Sequence, residues 1–259
     1  MNKTGLVSIT FRQKSTEEII DLAQKNRLDG IEWGSDVHVP VGNLENARAV
    51  GNETRAAKLE VVAYGSYYRA GAENEFQFYQ VLETAVALGA PAIRVWAGNK
   101  GTERTTEKEW QTVAEDLHRI GELADRENVQ VHLEYHDATL TDSAENTMNL
   151  LKAVDHPNLF TYWQPSVGIF TDARLASIEQ VAPRLANVHV FNWDFIFRLP
   201  LVEGRNQWQR FIDKIDSIQS EYLSDRYFML EFVKDDDETQ FKKDAQVLIE
   251  LIKQNKKTH

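Results

Sequence analysis

The chain alternates between short apolar runs rich in β-branched and aromatic residues and longer segments with apolar residues at three- and four-residue spacing. The short runs predict buried strands, and the longer segments predict amphipathic helices. Helical segments such as STEEIIDLAQKN and EFQFYQVLETAVALG separate the strand-like runs. We count eight of these runs, at residues 5–11, 29–34, 60–66, 92–98, 130–136, 160–164, 188–193 and 227–233.

Capping signals mark several of the predicted helix ends. A Ser or Thr three positions ahead of a Glu or Asn is typical of a helix start, and a glycine is typical of a helix end. Gly89 ends the third predicted helix. The start signals are Ser15 or Thr16 before Glu18, Thr105 or Thr106 before Glu109, and Ser143 before Asn146.

Eight strand–helix units predict an α/β fold, a closed (β/α)8 TIM barrel. The chain has 259 residues and contains no Pro/Gly/Ser-rich linker or charge block that would separate two domains. We therefore expect a single domain over residues 1–259, with an open doubly wound sheet as the main alternative. Two connections are longer than a barrel needs, SDVHVPVG after the second strand and DFIFRLPLVEGRNQ after the seventh.

Composition and charge argue against some classes of function. A net charge of -11 without clustered Lys and Arg argues against a nucleic-acid partner. The absence of cysteine rules out disulfides and thiolate chemistry. The N-terminal MNKTGLVSITF lacks the features of a secretory signal, and no run is long and apolar enough for a membrane span. We predict a cytoplasmic protein with no membrane partner.

Alternation along each strand assigns one face to the barrel interior, because the aliphatic set should face the helices. On the first strand Val7 and Ile9 are expected to face the helices. On the third strand Val62 is ambiguous, and Tyr64 and Ser66 would share its face. The polar or mixed set expected inside is Ser8, Thr10, Glu32, Arg94, Trp96, His132, Glu134, His136, Tyr162, Gln164, His189, Phe191, Met229 and Glu231.

Four of these side chains should meet at the carboxyl ends of the strands, the rim where barrel enzymes build active sites. Glu134, Gln164, His189 and Glu231 follow or end four successive strands. Two carboxylates, one imidazole and one amide oxygen suit a divalent-metal cage, with water or substrate in the remaining positions. A metal ion would also neutralise the two glutamates, which otherwise repel one another.

The segments EVVAYGSYYRAG, ALGAPAIRVWAG, VHLEYH, TYWQP and GIEWGSDVHVP resemble sugar isomerase/epimerase proteins of the xylose isomerase-like TIM-barrel superfamily, along nearly the whole chain. In relatives such as ketose 3-epimerases, hydroxypyruvate isomerase and inosose dehydratase, the metal is held by Glu, Asp, His and Glu on strands five to eight. The resemblance implies the same four positions, Glu134, Gln164, His189 and Glu231. Gln164 departs from the family pattern, because a neutral oxygen replaces a charged one.

The resemblance implies a metal-dependent isomerase or epimerase that acts on a ketose through an enediolate, with Glu134 and Glu231 as acid and base. The metal would be Mn, Mg, Co or Zn. The alternatives are an inosose- or dehydroshikimate-type dehydratase on the same cage, and a non-catalytic sugar-binding barrel with a decayed metal site. The related DNA-repair endonucleases are disfavoured, because this chain lacks their many histidine ligands and basic surface.

Further residues are predicted to bind the substrate, a sugar or polyol-derived ketone. For Arg94 an ion pair with Glu32 is an equal alternative, and for Trp96 core filling is an alternative. His132 is predicted to be structural. The predicted substrate-binding set is Glu32, His38, Tyr64, Arg94, Trp96, His136 and Arg198.

Three consecutive aspartates follow the eighth strand, in VKDDDET. They would repel a phosphate group, although Arg198 and Arg205 in the seventh connection could compensate. We therefore expect an unphosphorylated substrate. Because relatives often pair, a homodimer is possible.

Overall fold

Eight parallel strands close into a barrel in the computed structural model, which describes residues 1–218, 220, 222 and 224–255. The barrel strands are β1 (Asn2–Val7), β2 (Gly30–Gly34), β3 (Glu60–Ala70), β4 (Ala92–Ala97), β5 (Gln130–Leu133), β6 (Leu159–Trp163), β7 (Leu185–Val190) and β10 (Arg226–Leu230). Two further short strands are β8 (Trp193–Asp194) and β9 (Phe197–Arg198). Neighbours in sequence pair around the barrel, and β10 closes it between β7 and β1. The short β8 and β9 form an antiparallel hairpin outside it. The predicted TIM barrel is confirmed, and the open sheet is excluded.

The helices surround the barrel. They are α1 (Thr16–Lys25), α2 (Leu44–Ala56), α3 (Phe78–Leu88), α4 (Glu107–Arg126), α5 (Ala144–Val154), α6 (Thr171–Val181), α7 (Arg205–Ser217) and α8 (Glu238–Asn255). The predicted caps are present: Ser15 and Thr106 form capping boxes, and the Ser143 side chain accepts a hydrogen bond from Asn146 N–H. Gly89 ends α3 at φ 75°, a backbone conformation that glycine adopts without strain. No described helix is long and apolar enough to cross a membrane.

Apolar side chains form two layers, one between the sheet and the helices and a smaller one inside the barrel. The smaller layer corrects one prediction, because Val7 and Ile9 lie in it instead of facing the helices. The β1 strand ends at Val7 and a 3-10 turn follows, so simple alternation does not extend to Ile9. The inner apolar cluster consists of Val7, Ile9, Val62, Phe160, Tyr162, Ala186, Tyr227 and Met229.

A register shift between β2 and β3 explains a second difference. Ile31 pairs with Val61 whereas Glu32 pairs with Ala63, so Val62 is the extra residue of a bulge. A bulge reverses which face the following side chains occupy. Val62 therefore points inward, whereas Tyr64 lies in the outer layer, not on the face of Val62 as predicted.

The β5 strand ends at Leu133, three residues earlier than predicted. Glu134 and His136 therefore lie in the loop that follows, at the carboxyl end of the barrel. The loop is fixed by backbone hydrogen bonds, from Glu134 N to Val95 O at 3.0 Å and from His136 N to Thr141 O at 3.2 Å. An irregular but well-bonded segment thus carries two of the predicted site residues.

Candidate metal and substrate site

A cavity of about 500 Å³ opens at the carboxyl ends of the barrel strands. Its floor carries Glu134 and Glu231, and its walls are formed by residues of β3 and β4 and of the connections after β1, β5, β6, β7 and β10. The residues that line it are Ile9, Arg12, Tyr67, Arg94, Trp96, Glu134, Tyr135, His136, Asp137, Asp142, Gln164, Pro165, Ser166, Val167, Ile169, Phe191, Trp193, Glu231 and Phe232.

Three of the four predicted metal ligands converge at the base of this cavity. One ligand atom from each of Glu134, His189 and Glu231 lies within 4.8 Å of the other two, and all three residues are buried. Backbone bonds set their positions, because Glu134 N bonds Val95 O and Glu231 N bonds Val190 O, at 3.0 and 3.1 Å. The backbone of each glutamate is thereby bonded to the neighbouring strand of the closed barrel.

Gln164 joins the cluster through His189. The His189 Nδ1 atom lies 3.1 Å from Gln164 Oε1 and 3.3 Å from Glu231 Oε2. Carboxylate and amide oxygens together with one imidazole nitrogen suit Mn, Mg, Co or Zn, and two close, buried carboxylates favour a dication between them. The residues present therefore fit the divalent metal that the sequence predicts.

Arg94 lies beneath this cluster and is almost completely buried. Its Nε bonds Glu32 Oε1 at 2.7 Å, and its Nη1 bonds Glu134 Oε2. The Trp96 indole N–H also donates to Glu134 Oε2. With two donors on Oε2, Oε1 is the Glu134 oxygen left for a metal or ligand. The Arg94–Glu32 ion pair, offered as an alternative to substrate contact, is present.

The buried charges shift the pKa values of their partners strongly. Burial opposes the charged form of His189, but the carboxylates of Glu231 and Glu32 outweigh it and raise the imidazole pKa to about 10. Burial would raise the pKa of Glu32, but Arg94 and His189 hold it well below the usual range. Burial, reinforced by the Glu32 carboxylate, raises the Tyr162 pKa well above its ordinary value. This layer of the barrel is therefore ionic in the metal-free protein.

His136 lies in the cavity wall beside Glu134. Its ring stacks on Trp96, with centroids 4.7 Å apart, and the Arg69 guanidinium covers that indole at 3.8 Å. The His136 Nδ1 atom is 3.2 Å from Ala138 N, which donates to it, and 3.1 Å from Asp137 Oδ1. Nδ1 therefore has a partner in either protonation state, which leaves Nε2 for a ligand.

Four predicted substrate contacts lie outside the cavity wall. The bulge in β3 turns Tyr64 outward, where its hydroxyl donates to Val39 O at 2.8 Å. His38 is buried, with Nε2 3.1 Å from Lys14 O. Glu32 has no solvent exposure and binds Arg94 and Tyr162. Arg198 pairs with Asp236 at 2.6 Å across the acidic loop after β10. The predicted substrate contacts of these four residues therefore have no support from the cavity lining.

Sequence reasoning proposed no role for several residues that line the cavity, among them Arg12 and Tyr67. Arg12 follows the 3-10 turn after β1, and Tyr67 lies in the part of β3 beyond its predicted end. The strand-alternation argument stops where regular strands stop, so neither position was considered. One signal in the sequence was available, because the first helix is predicted to start only at Ser15 or Thr16. The residues just before it must then form a connection at the rim.

The family model described as xylose isomerase-like TIM barrel matches residues 20–251. A curated 3-dehydroshikimate dehydratase from Bacillus anthracis is 31% identical over 168 residues, which span 61% of this chain and 59% of that protein. The chain thus aligns with less than two thirds of this relative.

Solved structures show the same fold over nearly the whole chain. The probable 3-DHS dehydratase AsbF of Bacillus anthracis superposes with a TM-score of 0.77 at 23% identity, covering 95% of this chain and 98% of that one. A D-psicose 3-epimerase solved in the presence of D-fructose superposes with a TM-score of 0.70 at 14% identity, covering 95% of this chain and 97% of that one. At these identities the likeness is one of fold.

Proposed function

The chain belongs to the xylose isomerase-like TIM-barrel family, and we propose that it is a divalent-metal-dependent dehydratase that removes water from a cyclic hydroxy-ketone of the 3-dehydroshikimate type. The observation that carries the proposal is the buried cluster of Glu134, His189 and Glu231 at the base of an open cavity. The choice of reaction rests on the curated dehydratase relative. It favours the alternative of the sequence analysis over its first reading, isomerisation or epimerisation.

Glu134, His189 and Glu231 would hold the metal, with Gln164 as a fourth, neutral ligand. When bound, a divalent ion supplies Lewis-acid stabilisation of the negative charge that develops on the substrate carbonyl oxygen. Arg94 and Trp96 orient the Glu134 carboxyl group by donating hydrogen bonds to its Oε2 atom. The Trp96 indole is itself held between Arg69 and His136.

Loss of water from a β-hydroxy ketone requires two proton transfers. A base removes the proton next to the carbonyl, its bonding electrons form the new double bond, and an acid protonates the hydroxyl that leaves. Glu231 and His136 both line the cavity and follow strands on different sides of it. We assign the base to Glu231 and the acid to His136, because His136 has a hydrogen-bond partner for Nδ1 in both protonation states.

Aromatic side chains on the opposite wall limit access of water. Phe191, Trp193 and Phe232 line the cavity and contact one another in sequence, with ring centroids 5.1 and 6.0 Å apart. Exclusion of water strengthens the electrostatic interactions of the buried carboxylates with a bound ligand. We place the flat, partly unsaturated ring of the substrate between this wall and the Trp96–His136 stack.

The test is incubation with 3-dehydroshikimate and Mn, Mg, Co or Zn, with and without EDTA, in ordinary and heavy water. We expect a product lighter by one water, an aromatic absorbance, and loss of both with EDTA. Glu231→Gln should lower the rate about 10²- to 10⁴-fold and abolish exchange of the α-proton. His136→Asn should lower water release comparably but retain exchange, because the first proton transfer is intact.

The exposed Glu122→Gln on α4 is the matched control for loss of one carboxylate, and its rate should equal that of the wild type. Water release that persists in EDTA or in Glu231→Gln would contradict the proposal. An epimerase would instead give a product of unchanged mass from a ketose. A non-catalytic sugar-binding barrel would bind ligand equally well with and without EDTA.

A further inference from the structure

Two described residues with permanent positive charge line the cavity, Arg12 and Arg94. Arg94 has a side chain only 2% exposed, and its guanidinium binds the carboxylates of Glu32 and Glu134. The Arg12 side chain is 43% exposed and lies at the rim. Of the two cations, Arg12 is therefore the one accessible to a ligand that enters the cavity.

The Arg12 guanidinium is held on one side. Its Nε bonds Asp36 Oδ2 at 2.7 Å, its Nη2 bonds the Tyr67 hydroxyl at 2.8 Å, and its Nη1 bonds Ile9 O at 3.2 Å. Tyr67 in turn donates to Asp36 Oδ2 at 3.2 Å, which closes the ring of contacts. A guanidinium has five N–H groups. These three bonds leave one N–H on each terminal nitrogen, the arrangement that binds a carboxylate at two points.

A hydrogen bond to the Thr10 side chain links the segment that carries Arg12 to the segment that carries Glu231. Thr10, two residues before Arg12, accepts a hydrogen bond from Phe232 N at 3.2 Å, and Phe232 follows Glu231 directly. The Arg12 guanidinium also lies 5.9 Å from the centre of the Phe232 ring. Arg12 and Glu231 therefore lie on one side of the same cavity, so one small ring can contact both.

We propose that Arg12, oriented by Asp36 and Tyr67, binds the carboxylate of the substrate and makes the site selective for carboxylated rings over neutral sugars. The proposal deepens the proposed function, on which it rests for the identity of the ring. It predicts that the reacting hydroxy-ketone faces Glu231 and His136 while the carboxylate points to the β1 side of the cavity.

The experiment compares two ligands that differ by one carboxylate. Loss of water from 3-dehydroshikimate followed by enolisation gives 3,4-dihydroxybenzoate, and catechol is the same diol without the acid. We measure their Kd by calorimetry in magnesium-containing buffer. The wild type should bind the acid at least about tenfold more tightly. Arg12→Met should raise the Kd of the acid about 10- to 100-fold and leave the Kd of catechol within about twofold of the wild-type value.

Two variants define the arrangement. Arg12→Lys keeps the charge but not the paired N–H groups, and should recover only part of the preference. Arg210→Met removes another arginine that pairs with an aspartate, because Arg210 Nη2 lies 2.8 Å from Asp172 Oδ1. Neither residue lines the cavity, so this variant should bind both ligands as the wild type does. With 3-dehydroshikimate as substrate, Arg12→Met should raise KM and leave kcat nearly unchanged, which a general loss of structure would not do.

The proposal is overturned if the wild type does not prefer the acid, if Arg12→Met keeps the preference, or if it weakens both ligands equally. Failure of the proposed function gives a different pattern. A wild type that prefers the acid, loses that preference in Arg12→Met, and releases no water from 3-dehydroshikimate would support Arg12 as the carboxylate site while contradicting the dehydratase reaction.

Discussion

Two buried histidines point into the same barrel and differ in charge. His132 on β5 is 1% exposed and His189 on β7 has no exposure. Burial lowers the pKa of His132 to about 3, with only a weak opposing effect from Glu32. Burial acts in the same direction on His189, yet Glu231 and Glu32 raise its pKa to about 10. Burial alone therefore does not decide the charge of an interior histidine in this protein.

The neighbours of the two rings explain the difference. The ring centroids of Phe160, Tyr162 and Tyr222 lie 5.9, 5.5 and 5.8 Å from that of His132. His189 meets carboxylates at 3.3 and 3.8 Å. The interior thus has an apolar layer that stabilises neutral groups and, nearer the cavity, an ionic layer that stabilises charged ones. Separation of these layers lets one barrel combine a stable core with a charged site.

Removing the central cation should disrupt the ionic layer most. Arg94→Met leaves the buried carboxylates of Glu32 and Glu134 without their shared partner. We expect a loss of about 3 to 5 kcal/mol in the free energy of unfolding, the range for a broken buried ion pair. Urea denaturation at neutral pH measures it.

The matched control is Lys25→Met, which removes a cation from an exposed pair with Asp21 on α1 and should change stability by less than about 1 kcal/mol. The double variant Glu32→Gln/Arg94→Met should recover part of the loss, because one uncompensated charge is gone while Tyr162 can still donate to the Gln oxygen. An Arg94→Met protein as stable as Lys25→Met would contradict the ionic-layer description.

The apolar layer around His132 should make the free energy of unfolding depend on pH in the acid range. Because the folded pKa of His132 is about 3, the unfolded chain takes up a proton near pH 6.5 that the folded chain takes up only near pH 3. The contribution of His132 to the free energy of unfolding is therefore fully present above pH 6.5 and is lost as the pH falls toward 3. Replacement by Leu removes this loss. The stability of His132→Leu relative to the wild type should rise by about 2 kcal/mol between pH 8 and pH 5.

Only the pH-dependent part of this difference tests the prediction, because lost contacts with Gln130 act equally at both pH values. The surface variant His118→Leu is the control. The His118 side chain is 50% exposed, and the pH-dependent change of His132→Leu should exceed that of this variant. A flat difference for His132→Leu between pH 8 and pH 5 would mean that the His132 imidazole takes up its proton at the same pH in the folded and the unfolded chain.

Sequence reasoning predicted the parts of the molecule that follow regular strands. The eight-strand barrel, the capping residues and the inward placement of Glu134, His189 and Glu231 follow from periodicity and from the resemblance. The apolar neighbours Val188, Val190, Phe228 and Leu230 face the helices, as alternation requires. On β7 and β10 the pattern of side chains was sufficient to assign the faces, whereas on β1 it assigned Val7 to the wrong face.

The remaining features depend on departures from that period. The bulge at Val62 moved Tyr64 to the outer layer, and nothing in the local residue pattern distinguishes a bulged strand from a regular one. Arg12 and Tyr67 reach the cavity from a turn and from a strand extension. Whether Arg94 binds Glu32, Glu134 or both is set by distances across the barrel. Such contacts arise between strands far apart in sequence, so no single segment encodes them.

The smallest effect tests the charge of His189 directly. An imidazole must be neutral to bind a metal, and a pKa of about 10 means that His189 carries a proton at pH 8 in the metal-free protein. Binding of Mn²⁺ or Zn²⁺ at pH 8 should therefore release about one proton per ion, measured calorimetrically in two buffers with different ionisation enthalpies. The release should fall toward zero above pH 10, where the imidazole is already neutral.

The His132→Leu variant is the control and should release the same number of protons, because His132 is neutral throughout this range. Metal binding without proton release at pH 8 would show that His189 is neutral before the metal arrives, and the contrast between the two histidines would disappear.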